Sequence, residues 1–173
     1  MEIKKILFPV DLTGFSFKIV PQILSMAHKF GAEIHLLFVV GTMKEYSTFF
    51  VPHPSLDLFE MQNATAAEKK LEEFFEEYLI EYPRVKRAVL RGSPVDEIVK
   101  YVDSAGIDLI MIATHGRHGL ERALFGSVAD EIVTRSRVPV MCINPEMEAE
   151  KKKEMEEVLQ IAREGSRTEE RVH

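Results

Sequence analysis

The sequence lacks three features, and each absence excludes a class of protein. It has one cysteine, Cys142, so no disulfide can form within the chain and an oxidising compartment is not indicated. It has no excess of basic residues: the formal net charge of −6 argues against a general nucleic-acid binder, because a phosphate backbone requires a basic face. It has no apolar run near the roughly 20 residues that span a bilayer.

The amino terminus is not typical of a targeting segment either. Its apolar stretch is short: it includes Pro9 and ends at Asp11, which argues against a signal peptide. We therefore expect a cytoplasmic protein with neither a nucleic-acid partner nor a membrane contact.

Several enzyme signatures are also missing. No Gly-x-x-x-x-Gly-Lys-Ser/Thr run occurs, which excludes a P-loop enzyme, and no Gly-x-Gly-x-x-Gly follows the first apolar run, which disfavours a dinucleotide dehydrogenase. The Gly-x-Ser-x-Gly elbow of α/β-hydrolases is absent. So are the His-x-Gly-His and Ser-Gly-Gly-x-Asp-Ser signatures of adenylate-forming enzymes.

What the chain does contain is an alternation of apolar strands and amphipathic helices. Strands are predicted at residues 6–10, 34–40, 85–90, 108–114 and 138–143. Helices are predicted from an N-cap at Thr13 or Ser16 to Gly31, and at residues 58–79, 94–104 and 127–135. This alternation predicts an open, doubly wound α/β fold with a parallel sheet and helices on both faces.

Two segments stand outside that alternation. Residues 41–57, which contain Pro52 and Pro54, are predicted to form a long loop, and such loops are usually functional. Residues 1–144 are predicted to form one domain, and residues 145–173 a charged C-terminal helical extension. The charge of this extension is typical of a solvated helix face, with covering of the pocket or of a partner as alternatives.

The first candidate site is the polar segment that follows the first strand. In a doubly wound sheet, ligands bind beyond the carboxyl ends of the strands, where the strand order reverses. Asp11 lies at such an end and can accept hydrogen bonds from ribose hydroxyls or help to hold Mg²⁺. The alternative is that Asp11 caps the next helix.

The second candidate site is the glycine-rich loop after the fourth strand. Its chemistry-bearing residues are Gly116, Arg117, Gly119, Gly126 and Ser127. The glycines permit positive φ and close approach of the backbone to a ligand. Gly126 and Ser127 open a helix, whose first N–H groups bind anions. The alternative is a glycine turn followed by a serine N-cap.

The histidines and the cysteine give weaker signals. His115 and His118 suggest a metal, but a zinc site needs three or four ligands and no third one lies close in sequence. Phosphate contact or solvent exposure is the favoured interpretation of this pair. His28 and His35 are interpreted as structural, and Cys142 as an inert core residue of a buried strand.

Taken together, these motifs resemble those of the universal stress protein family. The resemblance is carried by Pro9-Val10-Asp11, by Ala113-Thr114-His115-Gly116 followed after nine residues by Gly126-Ser127-Val128-Ala129, and by Val138-Pro139-Val140. It covers roughly residues 4–144. It implies a five-stranded parallel sheet in the order 3-2-1-4-5, a homodimer paired through the last strand at 138–143, and, in one branch, ATP binding. That order would bring the two candidate loops to one crevice.

The resemblance also implies the residues of a nucleotide site. The family motif reads Gly-x-x-Gly, nine residues, then Gly-Ser/Thr, and its first glycine falls on Ala113, where a positive φ would be costly. Phosphate contacts would fall on Gly116, Gly119, Gly126, Ser127 and Val128, with Ala113, His115 and Arg117 beside them. Adenosine contacts would fall on Pro9, Val10, Asp11 and the main chain at Val39 or Val40. Mg²⁺ or Mn²⁺ would accompany the nucleotide, with Asp11 as its protein ligand.

Two functions follow as hypotheses. The first is an ATP-binding module that acts as a homodimer in stress response or signalling. A hydrolase needs a positioned base near the γ-phosphate, and the candidates Asp11, His115 and His118 have no evident orienting partner. A binding module is therefore favoured, with slow ATP hydrolysis as the alternative. The second function is a dimeric interaction protein of the same fold that binds no nucleotide, with Ala113 marking the loss.

Overall fold

In the computed structural model of the chain, residues 2–12, 16–41, 54–114 and 127–145 are described, with the main chain alone for residues 54–64. Five strands form one parallel sheet in the order β3-β2-β1-β4-β5. Their bounds are β1 (Lys5–Val10), β2 (Glu33–Val40), β3 (Val85–Arg91), β4 (Leu109–Ala113) and β5 (Val140–Ile143). The predicted strand order is confirmed.

Four α-helices connect these strands. They are α1 (Val20–Phe30), α2 (Pro54–Tyr78), α3 (Pro94–Ala105) and α4 (Ser127–Arg135), and a single 3₁₀ turn (Phe17–Ile19) precedes α1. Gly31 and Gly106 end α1 and α3 with φ of 61° and 64°, left-handed values that glycine adopts without strain. Within the described ranges, none of the helices combines the length and the apolar character that crossing a membrane needs.

The core has one layer on each face of the sheet. Because side chains alternate along a strand, Ile6 and Phe8 of β1 pack under α1 and α2, whereas Leu7 packs on the opposite face with residues of α3 and α4. All three side chains are fully buried. A central parallel strand buried on both faces must be apolar throughout, which is why the predicted run was unbroken.

Several predicted boundaries differ from those of the structure. Helix α2 begins at Pro54, inside the predicted loop 41–57, because proline suits the first helical turn, where no N–H is needed. Strand β5 begins at Val140 and not at residue 138. The Pro139 carbonyl accepts the Ile110 N–H of β4 at 3.0 Å, but proline has no N–H to donate in return. The N–H and the carbonyl of Val138 bond instead to the Ser136 hydroxyl, at 3.1 and 2.8 Å. Strand β4 is one residue shorter at each end than predicted.

The domain division stays a prediction. Residues 146–173, and with them nearly all of the expected C-terminal helical extension, lie outside the described residues.

Candidate functional site

The ladder between β1 and β4 stops at the point where the strand order reverses. Strand β1 pairs with β2 as far as Val10, but with β4 only at Ile6 and Leu7. The Asp108 N–H donates to the Lys5 carbonyl at 3.0 Å, so odd-numbered residues of β1 direct their main chain toward β4. The next such residue after Leu7 is Pro9, which has no N–H.

Proline is otherwise rare in a central strand, since it removes a ladder hydrogen bond. Here that loss ends the pairing of the two central strands short of their carboxyl ends. We call the region between residues 9–11 and residues 113–114 the switch-point crevice. Parallel sheets of this type bind their ligands at such a position.

Asp11 lies at one wall of the switch-point crevice and is exposed. Its Oδ1 accepts a hydrogen bond of 2.6 Å from the hydroxyl of Ser16, and its N–H donates to the same hydroxyl at 3.2 Å. The Ser16 side chain is buried at 2% exposure and makes no capping bond to the helical turn that follows. The predicted N-cap at Ser16 was therefore wrong; the alternative cap, Thr13, lies outside the described residues.

The chain turns sharply directly after Asp11. Leu12 has φ of 56°, and it is the one non-glycine residue with positive φ in the described part of the chain. A branched side chain is uncommon in this conformation, and such strain is held only where surrounding contacts enforce it. The bonds between Asp11 and Ser16, on either side of this turn, are contacts of that kind.

Along β2, the direction of the main chain separates Val39 from Val40. The Glu33 N–H donates to the Lys4 carbonyl at 2.7 Å, so odd-numbered residues of β2 face β1. The Val40 carbonyl instead accepts the Gly92 N–H at 3.0 Å, beyond the end of β3. Val39 thus directs its main chain toward β1, one residue past Phe38, whose partner Val10 is the last in the pairing of β1 with β2.

The opposite wall of the switch-point crevice is fixed by Thr114. Its N–H and its hydroxyl both donate to the Ile143 carbonyl, at 2.8 and 3.3 Å, and the side chain is buried at 3% exposure. Ala113 is the last residue of β4, pairs with Ile143 and has no positive φ. The expected cost of alanine at this position therefore does not arise, because the backbone here is extended.

The glycine-rich loop itself lies outside the described residues, including His115, Gly116, Arg117, His118, Gly119 and Gly126. Its far end is described: α4 begins at Ser127, as predicted, and Val128 packs against the core under α3 and α4. The N-terminus of a helix of nine residues thus follows the loop, where the anion-binding argument requires one.

A metal site formed by protein side chains alone has no support in the described residues. Within them, no group of three or more His, Cys, Asp or Glu side chains could hold a metal ion. A cation at Asp11 would therefore draw its other ligands from elsewhere, and phosphate oxygens and water are the ligands that Mg²⁺ ordinarily takes beside one or two carboxylates.

His35 lies in the interior near the amino end of the sheet. Its Nε2 is 2.8 Å from Glu33 Oε1 and its Nδ1 is 2.9 Å from the Tyr101 hydroxyl. An ionised carboxylate only accepts, so Nε2 carries the proton and Nδ1 accepts from Tyr101. Burial lowers the pKa of His35, and this outweighs the opposite effect of Glu33. Both ring nitrogens are paired, in agreement with a structural role.

In the described part of the chain, neither His28 nor Cys142 belongs to a group of side chains that indicates catalysis or metal binding. The exposed His28 ring packs edge-on against Tyr82, with centroids 5.0 Å apart. Cys142 is half-buried on an edge strand, so the expectation of a fully buried strand was wrong there. Burial raises the pKa of its thiol, which keeps it in the protonated, unreactive form.

Comparison with known proteins decides the family. The model of the universal stress protein family matches residues 2–144. The chain belongs to the universal stress protein family. Among curated members, universal stress protein MJ0531 of Methanocaldococcus jannaschii is 30% identical over 146 residues, which cover 81% of this chain and 81% of that protein.

Solved structures of the universal stress protein family share the fold. That of the hypothetical protein MJ0577, from the same organism, has a TM-score of 0.70 and 25% identity, and covers 83% of this chain and 97% of its own. A universal stress protein from Archaeoglobus fulgidus in complex with dAMP has a TM-score of 0.51 and covers 83% of this chain and 100% of its own. At 18% identity, the latter shows the fold alone.

Two residues at the switch-point crevice of this universal stress protein were not predicted as part of the site. Ser16 was interpreted as a helix cap, and Thr114 as the last residue of the fourth strand and a part of the loop motif. Thr114 directly follows the end of β4 and Ser16 lies in the segment after β1, and a hydroxyl residue after a strand end is the sequence signal that could have identified them.

Proposed function

We propose that this protein binds an adenine nucleotide, ATP together with Mg²⁺ or Mn²⁺, in the switch-point crevice, and acts as a homodimer in stress response or signalling. The observation that carries the proposal is the end of the β1–β4 ladder at Pro9, beside the exposed and oriented carboxylate of Asp11. An opening in the middle of a sheet with a charged group at its edge is suited to a polar ligand.

The nucleoside would lie on the β1 and β2 side of the crevice. Pro9 and Val10 end β1 and Asp11 follows directly, so that its carboxylate can accept hydrogen bonds from ribose hydroxyls. The direction of the main chain favours Val39 over Val40 for the contact to adenosine, because Val40 already accepts a bond from Gly92.

The phosphates would lie on the side of β4 and α4. The proposed contacts are Gly116, Gly119, Gly126, Ser127 and Val128, with His115 and Arg117 beside them. Ala113 supports this assignment, because an extended residue at the end of β4 does not need to be glycine. The start of α4 at Ser127 would direct unpaired N–H groups at the phosphate oxygens.

The cation would bridge the two sides. Asp11 would supply one carboxylate oxygen, and phosphate oxygens and water would complete the shell, as is usual for Mg²⁺ in nucleotide sites. A protein of the same fold has been solved in complex with dAMP, and we propose the same class of ligand, an adenine nucleotide, for this one. The cytoplasmic location stays a prediction.

Isothermal calorimetry with ATP and Mg²⁺ tests the proposal. We expect binding by the wild-type protein, and a loss of affinity of about 10- to 100-fold in Asp11→Asn, since a charged acceptor becomes neutral. Gly126→Val should weaken binding at least as much by adding bulk at the start of α4. Asp103→Asn, which changes an exposed aspartate on α3, is the matched control and should bind as the wild type does.

No heat with ATP for the wild type would contradict the proposal and favour the interaction protein without a nucleotide. Binding that Asp11→Asn and Gly126→Val both leave unchanged would place the nucleotide elsewhere on the molecule.

The dimer is a separate part of the proposal. Strand β5 is an edge of the sheet, and Met141 in it is 36% exposed. An apolar edge strand is open to pairing with a second chain. Met141→Glu should lower the mass measured by light scattering from dimer to monomer. The control is Ile80→Glu, at an apolar position after α2 that is 59% exposed, and it should stay dimeric. A dimer that persists in Met141→Glu would argue against this edge.

A further inference from the structure

The Ser16 hydroxyl makes two hydrogen bonds to Asp11, one as donor and one as acceptor. The hydroxyl donates to Oδ1 at 2.6 Å and accepts the Asp11 N–H at 3.2 Å. A short O–H···O⁻ bond is charge-assisted and is stronger and more directional than a neutral one. The carboxylate is therefore held to its own backbone through a second residue.

Helix formation does not explain this use of Ser16. A serine in front of a helical turn ordinarily accepts an N–H of that turn, yet Ser16 has φ of −62° and ψ of −40° and makes no such bond. Its hydroxyl points back toward the sheet instead. The buried hydroxyl leaves the helical turn uncapped and bonds to an exposed carboxylate, and its role is therefore to orient that carboxylate.

The conformation of Leu12 supports the same interpretation. Leu12, directly after Asp11, is in the left-handed conformation, which leucine by itself disfavours. It lies in the sequence between Asp11 and Ser16, which are hydrogen-bonded to each other. Backbone strain next to an oriented carboxylate, at a strand end of the switch-point crevice, is typical of a pre-organised binding group.

We infer that Ser16 is a positioning residue for the nucleotide: it holds the Asp11 carboxylate in the orientation that meets the ribose hydroxyls. The protein is thereby selective for ribonucleotides over nucleotides whose sugar lacks the 2′ and 3′ hydroxyls. This inference rests on the proposed function, since it assigns Asp11 to the ribose. It assigns to Ser16 no contact with the nucleotide itself.

The test compares the affinities for ATP and for 2′,3′-dideoxy-ATP, both with Mg²⁺, by calorimetry. In Ser16→Ala, we expect the affinity for ATP to fall by about tenfold, the size of one lost charge-assisted bond, while the affinity for the dideoxy analogue changes little. In the Asp11→Ala background, Ser16→Ala should cause no further loss, because the serine acts through the carboxylate.

A direct readout accompanies the affinities. Three-bond couplings measured by NMR should show one χ1 rotamer for Asp11 in the wild type and averaging over several in Ser16→Ala. The matched control is Ser136→Ala, because Ser136 also accepts an N–H and donates to a carbonyl, but does so in the turn before β5. It should leave both nucleotide affinities and the Asp11 couplings unchanged. If Ser16→Ala does not fold, Ser16→Cys, a weaker donor of similar size, takes its place.

Equal losses for ATP and the dideoxy analogue in Ser16→Ala would overturn the inference, since they indicate general damage to the fold. So would an unchanged affinity for ATP while the wild type binds it, a result that leaves the proposed function intact. A wild type that binds neither compound would remove the proposed function and this role of Ser16 together.

Discussion

The two ends of the central strands differ in how their polar groups are satisfied. At the amino end, the Asp108 carboxylate accepts the N–H groups of Lys4 and Lys5 at 2.8 and 2.9 Å. The Lys5 ammonium donates to the Ala105 carbonyl at 2.6 Å, at the end of α3. Charges and backbone groups here neutralise one another within the protein.

At the carboxyl end, Asp11 and Thr114 are also hydrogen-bonded within the protein, but their surroundings differ. The β1–β4 ladder stops before Pro9, Asp11 is exposed, and Leu12 is strained. The polar groups of the amino end stabilise the fold, whereas the exposed and oriented carboxylate of Asp11 lies where sheets of this type bind their ligands.

The largest expected effect is a loss of stability when Asp108 is removed from the amino end of the central strands. Asp108→Ala leaves two N–H groups without their acceptor and should lower the free energy of unfolding by about 2–3 kcal/mol. Urea denaturation measures this loss, and the affinity for ATP should not change. Asp103→Ala, which removes an exposed carboxylate paired at 3.6 Å with Arg137, should cost less than about 0.5 kcal/mol. A loss in Asp108→Ala no larger than this would show that the amino end is not held by Asp108.

A smaller effect is expected from the bond between α3 and β2. Tyr101→Phe removes the donor to His35 Nδ1 and should cost about 1 kcal/mol in the free energy of unfolding. The comparison variant is Tyr78→Phe on α2, which keeps the half-buried ring and removes only a hydroxyl bonded to the neighbouring Glu77, so that stability should change little. Equal stabilities of the two variants in urea would contradict the assigned hydrogen bond.

The smallest expected effect is a pH dependence of stability. Burial places the pKa of folded His35 below its ordinary value of 6.5, so the unfolded chain binds a proton more readily. The contribution of neutral His35 to the free energy of unfolding should therefore be complete above pH 6.5 and decline as the pH falls below that value. Glu33 affects stability at a lower pH. Burial would raise the pKa of its carboxyl, but hydrogen bonds from Lys86 and His35 lower it below the ordinary value of 4.5. The stabilisation from Glu33 is therefore lost only as the pH falls below about 4.5.

Denaturation curves between pH 5 and 7.5 measure this slope. His35→Gln should flatten it, whereas His28→Gln, at an exposed position, should retain it. A slope that survives in His35→Gln would assign the pH dependence to other groups.

The sequence was sufficient for the fold class but not for every boundary. Unbroken apolar runs such as residues 6–10 predicted central strands, because burial on both faces demands them. The start of β5 was missed because Pro139 has no N–H for the ladder and Val138 bonds to the Ser136 hydroxyl, neither of which apolar patterning encodes. The strand order was an expectation from the family resemblance and not from spacing.

The candidate site was predictable in part. Asp11 was identified from its position at a strand end. The role of Ser16 was not, since it depends on the left-handed turn at Leu12, and nothing local in the sequence signals a leucine in that conformation. The concern about Ala113 also required the structure, because pairing with Ile143 is what keeps that residue extended.

The most direct test of the difference between the two ends is a map of amide chemical shifts on addition of ATP and Mg²⁺ to the labelled protein. If the nucleotide binds in the switch-point crevice, we expect the largest shifts at the carboxyl end and none at Lys5 or His35. The residues with the largest shifts should be Val10, Asp11, Val39, Ala113 and Ser127. Shifts centred on the amino end, or none at saturating ATP, would contradict it.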